Sequence, residues 1–310
     1  MKSRNYYEER IIEDIHKELG EGTHVQVEDV RKNNHVLKRG MTIQRKGYNV
    51  SPIIYLDSYC EKLEQGANMD SVVKSILKIY RSSLLHNEVD IDFFKDYEKV
   101  KDQIVYRLVS RERNRELLED VPYTEFLDLA ICYCCRYSNY EIGEGLILIH
   151  NSHMETWGVG PEDLMWQANR NTPQLIPPYL CSMDDALHGV LDQEALNEMR
   201  QVQEETGRYM YVLSNEQRCY GAAALLYPGV LRKAAQRLGD RFFILPSSIH
   251  ETILIKDNNS HTGEELHDMI TDINRYQLEP EEILSDYAYH YDVMSGKIQI
   301  LGKDCSFCNL

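Results

Sequence analysis

The spacing of apolar residues in the first part of the chain predicts a helix followed by a hairpin. A helical stripe over residues 5–19 ends at Gly20. Apolar and polar residues then alternate from Thr23 to Val30 and from Val36 to Arg45, as they do in half-buried strands. The residues between these runs are polar turn formers, so the two runs predict an antiparallel hairpin.

Helical and strand periods continue to alternate through the rest of the chain. Helix-opening signals come from Gly160-Pro161, which we expect to start a helix that stops before Pro173, and from a capping box at Thr262 and Glu265. The chain closes with a predicted hairpin of Tyr287 to Asp292 and Lys297 to Leu301.

This order of elements predicts an α+β fold with mainly antiparallel sheets and packed helices, because hairpins outnumber strand-helix-strand crossovers. We predict an N-terminal α+β region over residues 1–102, a C-terminal α+β region over 103–302 and a flexible tail over 303–310. No linker rich in proline, glycine or serine separates the regions, so we expect them to pack together.

Two segments of the C-terminal region echo each other. The run Tyr106 to Glu112 is similar to Tyr211 to Glu216, and Ile147-Leu148-Ile149 is similar to Ile253-Leu254-Ile255. The echo is compatible with an internal duplication or with chance similarity of short apolar runs. If it is a duplication, residues 104–170 and 209–275 must have the same strand order.

The charge balance disfavours a nucleic-acid partner. The 310 residues include 50 acidic and 34 basic side chains, for a formal charge of −16, whereas nucleic-acid binding depends on Lys and Arg neutralising phosphates. The largest basic cluster in the sequence lies on the predicted hairpin, where we interpret it as a solvated face that protects the strand edge. Its members are Lys32, Lys38, Arg39, Arg45 and Lys46.

Compartment is inferred from hydropathy and from cysteine usage. The N-terminus lacks the apolar core of a signal peptide, and no run approaches the length of a membrane span, so we expect a cytoplasmic protein without a membrane partner. The eight cysteines show no disulfide-scaffold spacing, which suits a reducing compartment. Cys305 and Cys308 form a C-x-x-C in the tail without a second pair, so we expect no metal there.

The candidate catalytic residues lie in the segment Pro246-Ser247-Ser248-Ile249-His250-Glu251. A hydrolase could use Ser247 or Ser248 as nucleophile, His250 as base and Glu251 as its partner, with Tyr227 nearby. If Phe242 to Ile255 is one strand, however, Ser248 and His250 share one face and Ser247 and Glu251 the other. The competing interpretation is that these polar groups satisfy backbone atoms at a bend in a core strand.

A second cluster, His150, His153 and Glu155, follows a predicted strand and is a weak metal candidate. A loop does not fix two imidazoles on one side, so local hydrogen bonds are the preferred interpretation and we expect no metal. The chain contains neither a Walker A loop nor a dinucleotide-binding Gly-x-Gly-x-x-Gly, and we expect no cofactor.

Several motifs together resemble a bacterial family of unknown function, DUF5688, found in clostridial-type bacteria. They are Val121-Pro122 with Phe126-Leu127-Asp128-Leu129-Ala130, Asn151-Ser152-His153 with Trp157-Gly158-Val159, Asn171-Thr172-Pro173, Gly221-Ala222-Ala223 with Leu226-Tyr227-Pro228-Gly229-Val230-Leu231, and Pro246 to Glu251. The resemblance runs to about Gly302 and implies a cytosolic bacterial protein, but it supplies no catalytic residues.

Taken together, these patterns favour a non-enzymatic binding or accessory module. They do not identify its partner, for which a protein is one option. The alternative is a hydrolase that uses the Ser/His/Glu cluster. The two differ in whether hydroxyl, imidazole and carboxylate meet at the wall of one open pocket.

Overall fold

A computed structural model describes residues 4–20, 22–45, 51–82, 92–139, 143–258, 261–302 and 307–308. The chain divides into two compact units. One comprises Met1–Phe93 with Ser138–Gly145, and the other comprises Phe94–Tyr137 with Leu146–Leu310.

In its described residues, the first unit packs three helices on one three-stranded antiparallel sheet, of order β1-β2-β3. Its elements are α1 (Arg4–Leu19), β1 (Thr23–Arg31), β2 (Leu37–Arg45), β3 (Ile53–Tyr55), α2 (Asp57–Glu64) and α3 (Met69–Ser82). The predicted helix and hairpin are confirmed. Ile11 and Ile15 of α1 meet Met41 and Ile43 of β2 in one buried cluster, because each pair lies on a single face of its element.

The predicted basic cluster on the hairpin is partly neutralised. Arg39 donates to Glu8 at 3.0 Å and to Asp29 at 3.0 Å. The ammonium of Lys32 lies 4.3 Å from the ring centroid of Tyr55. Lys46 lies outside the described residues.

The first sheet of the second unit has four strands, in which β6 pairs antiparallel with β4 and with β5 and also pairs with β7; the ends of β6 and β7 within Ser138–Gly145 count with the first unit. Its elements are α4 (Tyr97–Val100), β4 (Ile104–Ser110), α5 (Arg115–Asp120), β5 (Tyr123–Phe126), β6 (Leu129–Asn139), β7 (Gly143–Leu148), α6 (Asn151–Trp157) and α7 (Pro161–Leu175). Helix α7 starts at Pro161 as predicted but continues through Pro173, which lies only two residues before its end.

A seven-stranded sheet of order β14-β13-β12-β10-β11-β9-β8 follows. Its elements are β8 (Pro178–Ser182), α8 (Met183–Leu187), α9 (Gln193–Thr206), β9 (Met210–Asn215), α10 (Val230–Leu238), β10 (Arg241–Leu245), β11 (Thr252–Lys256), α11 (Gly263–Tyr276), β12 (Tyr289–Asp292), β13 (Lys297–Leu301) and β14 (Phe307–Cys308). Every neighbouring pair in this sheet is antiparallel.

The α+β class is confirmed. The two echoed segments also share the order of three strands, because β4-β6-β5 and β9-β11-β10 both place the third strand between the first and the second. The short sequence matches do not follow this order, since Ile147 and Leu148 lie in β7, which pairs with β6, whereas Ile253 to Ile255 lie in β11, the middle strand of its three. The internal duplication therefore stays a prediction.

Part of the tail that we predicted to be flexible forms a short strand. Phe307 and Cys308 pair with Leu301 and Ile300 as a two-residue strand at the sheet edge. Cys305 lies outside the described residues.

The main core of the second unit joins its two sheets. Tyr106, Leu108 and Tyr133 of the first sheet share one buried cluster with Leu213 and Phe242 of the second. A 3₁₀ helix, Gly221–Leu226, lies inside this cluster. At its first residue, a Cβ would collide with Ser214 Oγ and the carbonyl of His250, so only glycine allows the chain to pass so close.

Candidate functional site

The segment Pro246 to Glu251 connects β10 to β11 and is not part of one continuous strand. Its backbone is held from two directions. The Ser247 carbonyl accepts from the Leu284 N–H at 2.7 Å, and the Ile249 carbonyl accepts from the Ala222 N–H at 3.2 Å. The alternation of faces that the sequence suggested therefore does not apply, because the chain turns back here.

Both candidate nucleophiles are buried. Ser247 is 3% exposed and Ser248 is 5% exposed. The Ser248 Oγ accepts a hydrogen bond from the backbone N–H of His250 at 3.0 Å, which stabilises the turn. A substrate cannot reach either hydroxyl without movement of the surrounding chain.

The ring of His250 contacts groups other than the serines. Its Nδ1 accepts from the backbone N–H of Tyr220 at 3.2 Å, and its Nε2 lies 3.7 Å from the Glu282 carboxylate. The imidazole is one-third exposed, at 33%. A base must lie within about 3 Å of its nucleophile, and here both ring nitrogens already face other partners.

The remaining catalytic candidates do not join His250. Glu251 is half-buried near Cys181, where its charge helps to raise the pKa of the thiol, after the larger effect of burial. Tyr227 is buried against Tyr106, with ring centroids 6.1 Å apart, and burial raises its pKa well above the usual value. The structure thus separates the residues that the hydrolase interpretation brought together.

The predicted His150, His153 and Glu155 cluster forms the start of α6. The His150 Nδ1 lies 2.7 Å from Asp120 Oδ2, and the His153 Nδ1 accepts from the backbone N–H of His150 at 2.9 Å. The His153 ring packs on Phe94, with centroids 4.9 Å apart, and burial lowers its pKa. Glu155 is exposed. Within the described ranges, no group of three or more His, Cys, Asp or Glu residues has the geometry of a metal site.

The surroundings of His250 include two residues that were not selected from the sequence. Tyr220 adopts a left-handed backbone, with φ of 51°, and its ring centroid lies 5.7 Å from that of His250. On the same ring lies Arg107, with its Cζ 5.0 Å from the centroid. We call Arg107, Tyr220, His250 and Glu282 the Tyr220 cluster.

Local hydrogen bonds fix the turn that presents Tyr220. The side chain of Asn215, 2% exposed, donates to the Cys219 carbonyl at 2.8 Å and accepts from the Cys219 N–H at 3.2 Å. A buried asparagine that closes a turn in this way makes a positive φ at a neighbouring residue tolerable. The Tyr220 ring is therefore held in place before any ligand arrives.

Arg107 projects from the centre of β4 on the face that also carries Val105, Val109, Cys132 and Cys134. Its side chain is half-buried, and its Nε is sealed from solvent without a hydrogen-bond partner. Burial acts to lower the pKa of Arg107, but the neighbouring Cys134 and Tyr220 side chains offset it, so the pKa is raised and the guanidinium stays charged. Among the described residues, no carboxylate pairs with it.

The molecule is therefore an α+β protein in which the half-buried Arg107, without a carboxylate partner among the described residues, stacks on Tyr220. The chain belongs to a family of unknown function, DUF5688, whose model matches residues 4–293. No curated protein matches it, and no solved structure does. Of the helices in the described ranges, none has both the length and the apolar content needed to cross a bilayer.

Proposed function

We propose that this protein is a non-enzymatic binding module that recognises an oxyanion, either a carboxylate or a phosphate group, through Arg107. The observation that carries the proposal is the half-buried Arg107 guanidinium without a carboxylate partner among the described residues. The chain has 50 acidic side chains, but none in the described residues forms an ion pair with this arginine.

The cost of burying a charge supports a ligand. A partly desolvated cation without a counter-ion loses hydration, and the neighbouring Tyr220 side chain restores only part of it. An oxyanion would restore it, because the planar guanidinium presents paired donors that match the oxygens of carboxylate and phosphate. Since the Arg107 side chain is not fully buried, an anion from solvent can reach part of it.

The aromatic neighbour supports a site that is already organised. The Tyr220 ring restricts the plane of the Arg107 guanidinium, and the His250 Nδ1 restrains the backbone that carries the ring. A restrained arginine loses less side-chain entropy on binding than a mobile one. In this proposal, His250 is a positioning residue that acts through Tyr220.

The buried thiols support a reducing compartment, and we propose a cytoplasmic location on that ground. Cys60, Cys132, Cys134, Cys135 and Cys181 are all buried and free. Burial raises the pKa of Cys132 and Cys135 to about 12, which keeps these thiols protonated and unreactive. They behave as small apolar residues of the core.

The test compares two arginines that each stack on a tyrosine. Arg107→Gln removes the proposed ligand contact. Arg218→Gln removes an exposed arginine whose Cζ lies 4.8 Å from the Tyr179 ring centroid. Inorganic phosphate and acetate serve as the probes, and calorimetric titration and thermal unfolding serve as the readouts.

We expect the probe anions to raise the melting temperature of the wild type and of Arg218→Gln, but not that of Arg107→Gln. At ten times the dissociation constant the stabilisation is about 1.4 kcal/mol, which corresponds to a few degrees. The same anion response in Arg107→Gln as in the wild type would refute the proposal.

A further inference from the structure

A second surface of the same unit, far along the chain from Arg107, is a groove of about 430 Å³ between α9 and α11. Four apolar side chains, three of them methionines, line it: Met199, Val202, Met210 and Met269. Val202 is 56% exposed. Methionine is flexible and polarisable, and methionine-rich surfaces are typical of grooves that accept apolar side chains of another protein.

One wall of this groove is acidic. Asp268 and Asp272 lie one helical turn apart on α11, and no ion pair to either is found among the described residues. Glu265, on the same wall, is already used, since its carboxylate accepts from the Thr262 N–H at 2.8 Å. The two aspartates therefore remain available to a cation from outside.

The groove also contains an unsatisfied ring nitrogen. His261 lines it, and its Nε2 is buried without a hydrogen-bond partner among the described residues. Burial, followed by the charge of Arg208, lowers the pKa of His261 and favours the neutral imidazole. A polar group of a bound partner that hydrogen-bonds to Nε2 would remove the cost of this unpaired atom.

We infer that this groove binds a cationic amphipathic helix of a partner protein. Apolar side chains of the helix pack on Val202 and the methionines, and Lys or Arg side chains, one turn apart, pair with Asp268 and Asp272. The surrounding charge favours the same partner, because residues 94–310 carry 35 acidic and 20 basic side chains, whereas residues 1–93 carry 15 and 14.

A fluorescent peptide of Leu and Lys, about five helical turns long, with its leucines on one face, is the probe. A peptide of the same composition in a scrambled, non-amphipathic order controls for net charge. Anisotropy is measured at about 0.15 M salt, where exposed charges separated by more than roughly 8 Å are largely screened.

The main variant is Asp268→Asn with Asp272→Asn. Its matched control is Glu194→Gln with Glu198→Gln, which removes two exposed charges at the same spacing on α9 outside the groove lining. Val202→Ser tests the apolar contact at an exposed position, where folding is not at risk.

We expect the Asp268/Asp272 variant to bind the amphipathic peptide about tenfold more weakly than the wild type, with the matched control within about twofold. Val202→Ser weakens binding severalfold. Arg107→Gln leaves it unchanged, so this result is independent of the anion site. Equal binding of the scrambled peptide, or equal losses in the Asp and Glu variants, would show that only net charge matters and would overturn the inference.

Discussion

The Nδ1 of His250 accepts a hydrogen bond from the backbone N–H of Tyr220 at 3.2 Å. This contact ties the connection between β10 and β11 to the turn that presents Tyr220, and through Tyr220 to Arg107. A residue that the sequence marked as a potential base therefore holds the backbone beside a cation. The Nδ1 of this imidazole already accepts a hydrogen bond, whereas a catalytic base needs a free ring nitrogen.

We expect His250→Ala to lower the free energy of unfolding by about 1–3 kcal/mol, because the Tyr220 N–H loses its acceptor. Since the ring is 33% exposed, solvent can replace part of the contact, and the lower end of this range is the expected value. Urea denaturation of the wild type and the variant measures the change. His250→Gln, which can keep an acceptor near the same place, is the control and should recover part of the loss.

The same samples test the alternative hydrolase. Since Ser247 and Ser248 are 3% and 5% exposed, a serine-directed fluorophosphonate should label neither in the wild type. Labelling that disappears in His250→Ala, with unchanged stability, would contradict the structural role of His250 and favour an enzyme.

Arg107→Met should not destabilise the protein in anion-free buffer. The substitution removes a partly desolvated charge that has no counter-ion among the described residues, so we expect stability to stay the same or to rise by up to about 1 kcal/mol. Thermal and urea unfolding without phosphate or carboxylate buffers provide the measurement. Substantial destabilisation would instead mean that the stacking of Arg107 on Tyr220 is needed for the fold.

Arg39→Met is the informative contrast, because Arg39 does have a carboxylate partner. Its guanidinium contacts Glu8, whose side chain is 7% exposed. Removing this cation leaves the buried carboxylate with the longer contact to Arg4, at 3.6 Å, as its ion pair among the described residues, so Arg39→Met should destabilise where Arg107→Met does not.

Local signals explain what could be predicted from the sequence. Pro161 opens α7, Thr262 and Glu265 form the capping box of α11, and the hairpin after Thr23 has the predicted pairing. Each of these features depends on residues close together in the chain. The α+β class follows from adding such local elements.

The site depends on contacts that local patterns do not encode. Ile249 continues the apolar run of β10 into β11, so the turn between these strands looked like the middle of one strand. Arg107 did leave a signal, as a single charge inside Ile-Val-Tyr-Arg-Leu-Val-Ser. Its meaning depends on the absence of a nearby carboxylate among the described residues, which only the tertiary structure reveals.

His153→Ala should lower stability by about 1 kcal/mol, because the backbone N–H of the N-cap residue, His150, loses its acceptor at the start of α6. The His153 Nδ1 accepts from the His150 N–H, and the ring packs between Phe94 and Trp157. Denaturation monitored by circular dichroism measures the loss. His16→Ala, at an exposed position, is the control and should change little.

Zinc binding provides a separate test of the same residues. Because the two rings satisfy local hydrogen bonds and Glu155 is exposed, equilibrium dialysis should find no stoichiometric zinc that depends on His150 or His153. Zinc that is retained by the wild type and lost from His153→Ala would establish a metal site instead.

The last prediction concerns Asp128, which links the hairpin of β5 and β6 to the segment before β12. Its carboxylate accepts from Ser285 Oγ at 2.7 Å and from the hydroxyl of Tyr289, which is fully buried. Burial raises the pKa of Asp128 above its ordinary value of 3.8, although both hydrogen bonds act in the opposite direction. The folded protein therefore holds the Asp128 proton more tightly than the unfolded chain does.

Because the folded pKa is the higher one, the stabilisation linked to this proton is complete below pH 3.8 and is lost as the pH rises through the folded pKa. Asp128→Asn removes the titration. The stability of the wild type relative to Asp128→Asn should accordingly fall with rising pH over this interval and then become constant. Urea denaturation across an acidic pH series measures the difference.

Asp292 provides a control of opposite sign. A hydrogen bond from the Ser295 N–H lowers its pKa below 3.8, so its contribution is present above that value and is lost as the pH falls through the folded pKa. The stability of the wild type relative to Asp292→Asn should therefore rise with pH. If the relative stability changes with pH in the same direction for both variants, the assignment of a raised pKa to Asp128 is contradicted. Opposite directions are expected, because burial raises the pKa of Asp128 and backbone hydrogen bonding lowers that of Asp292.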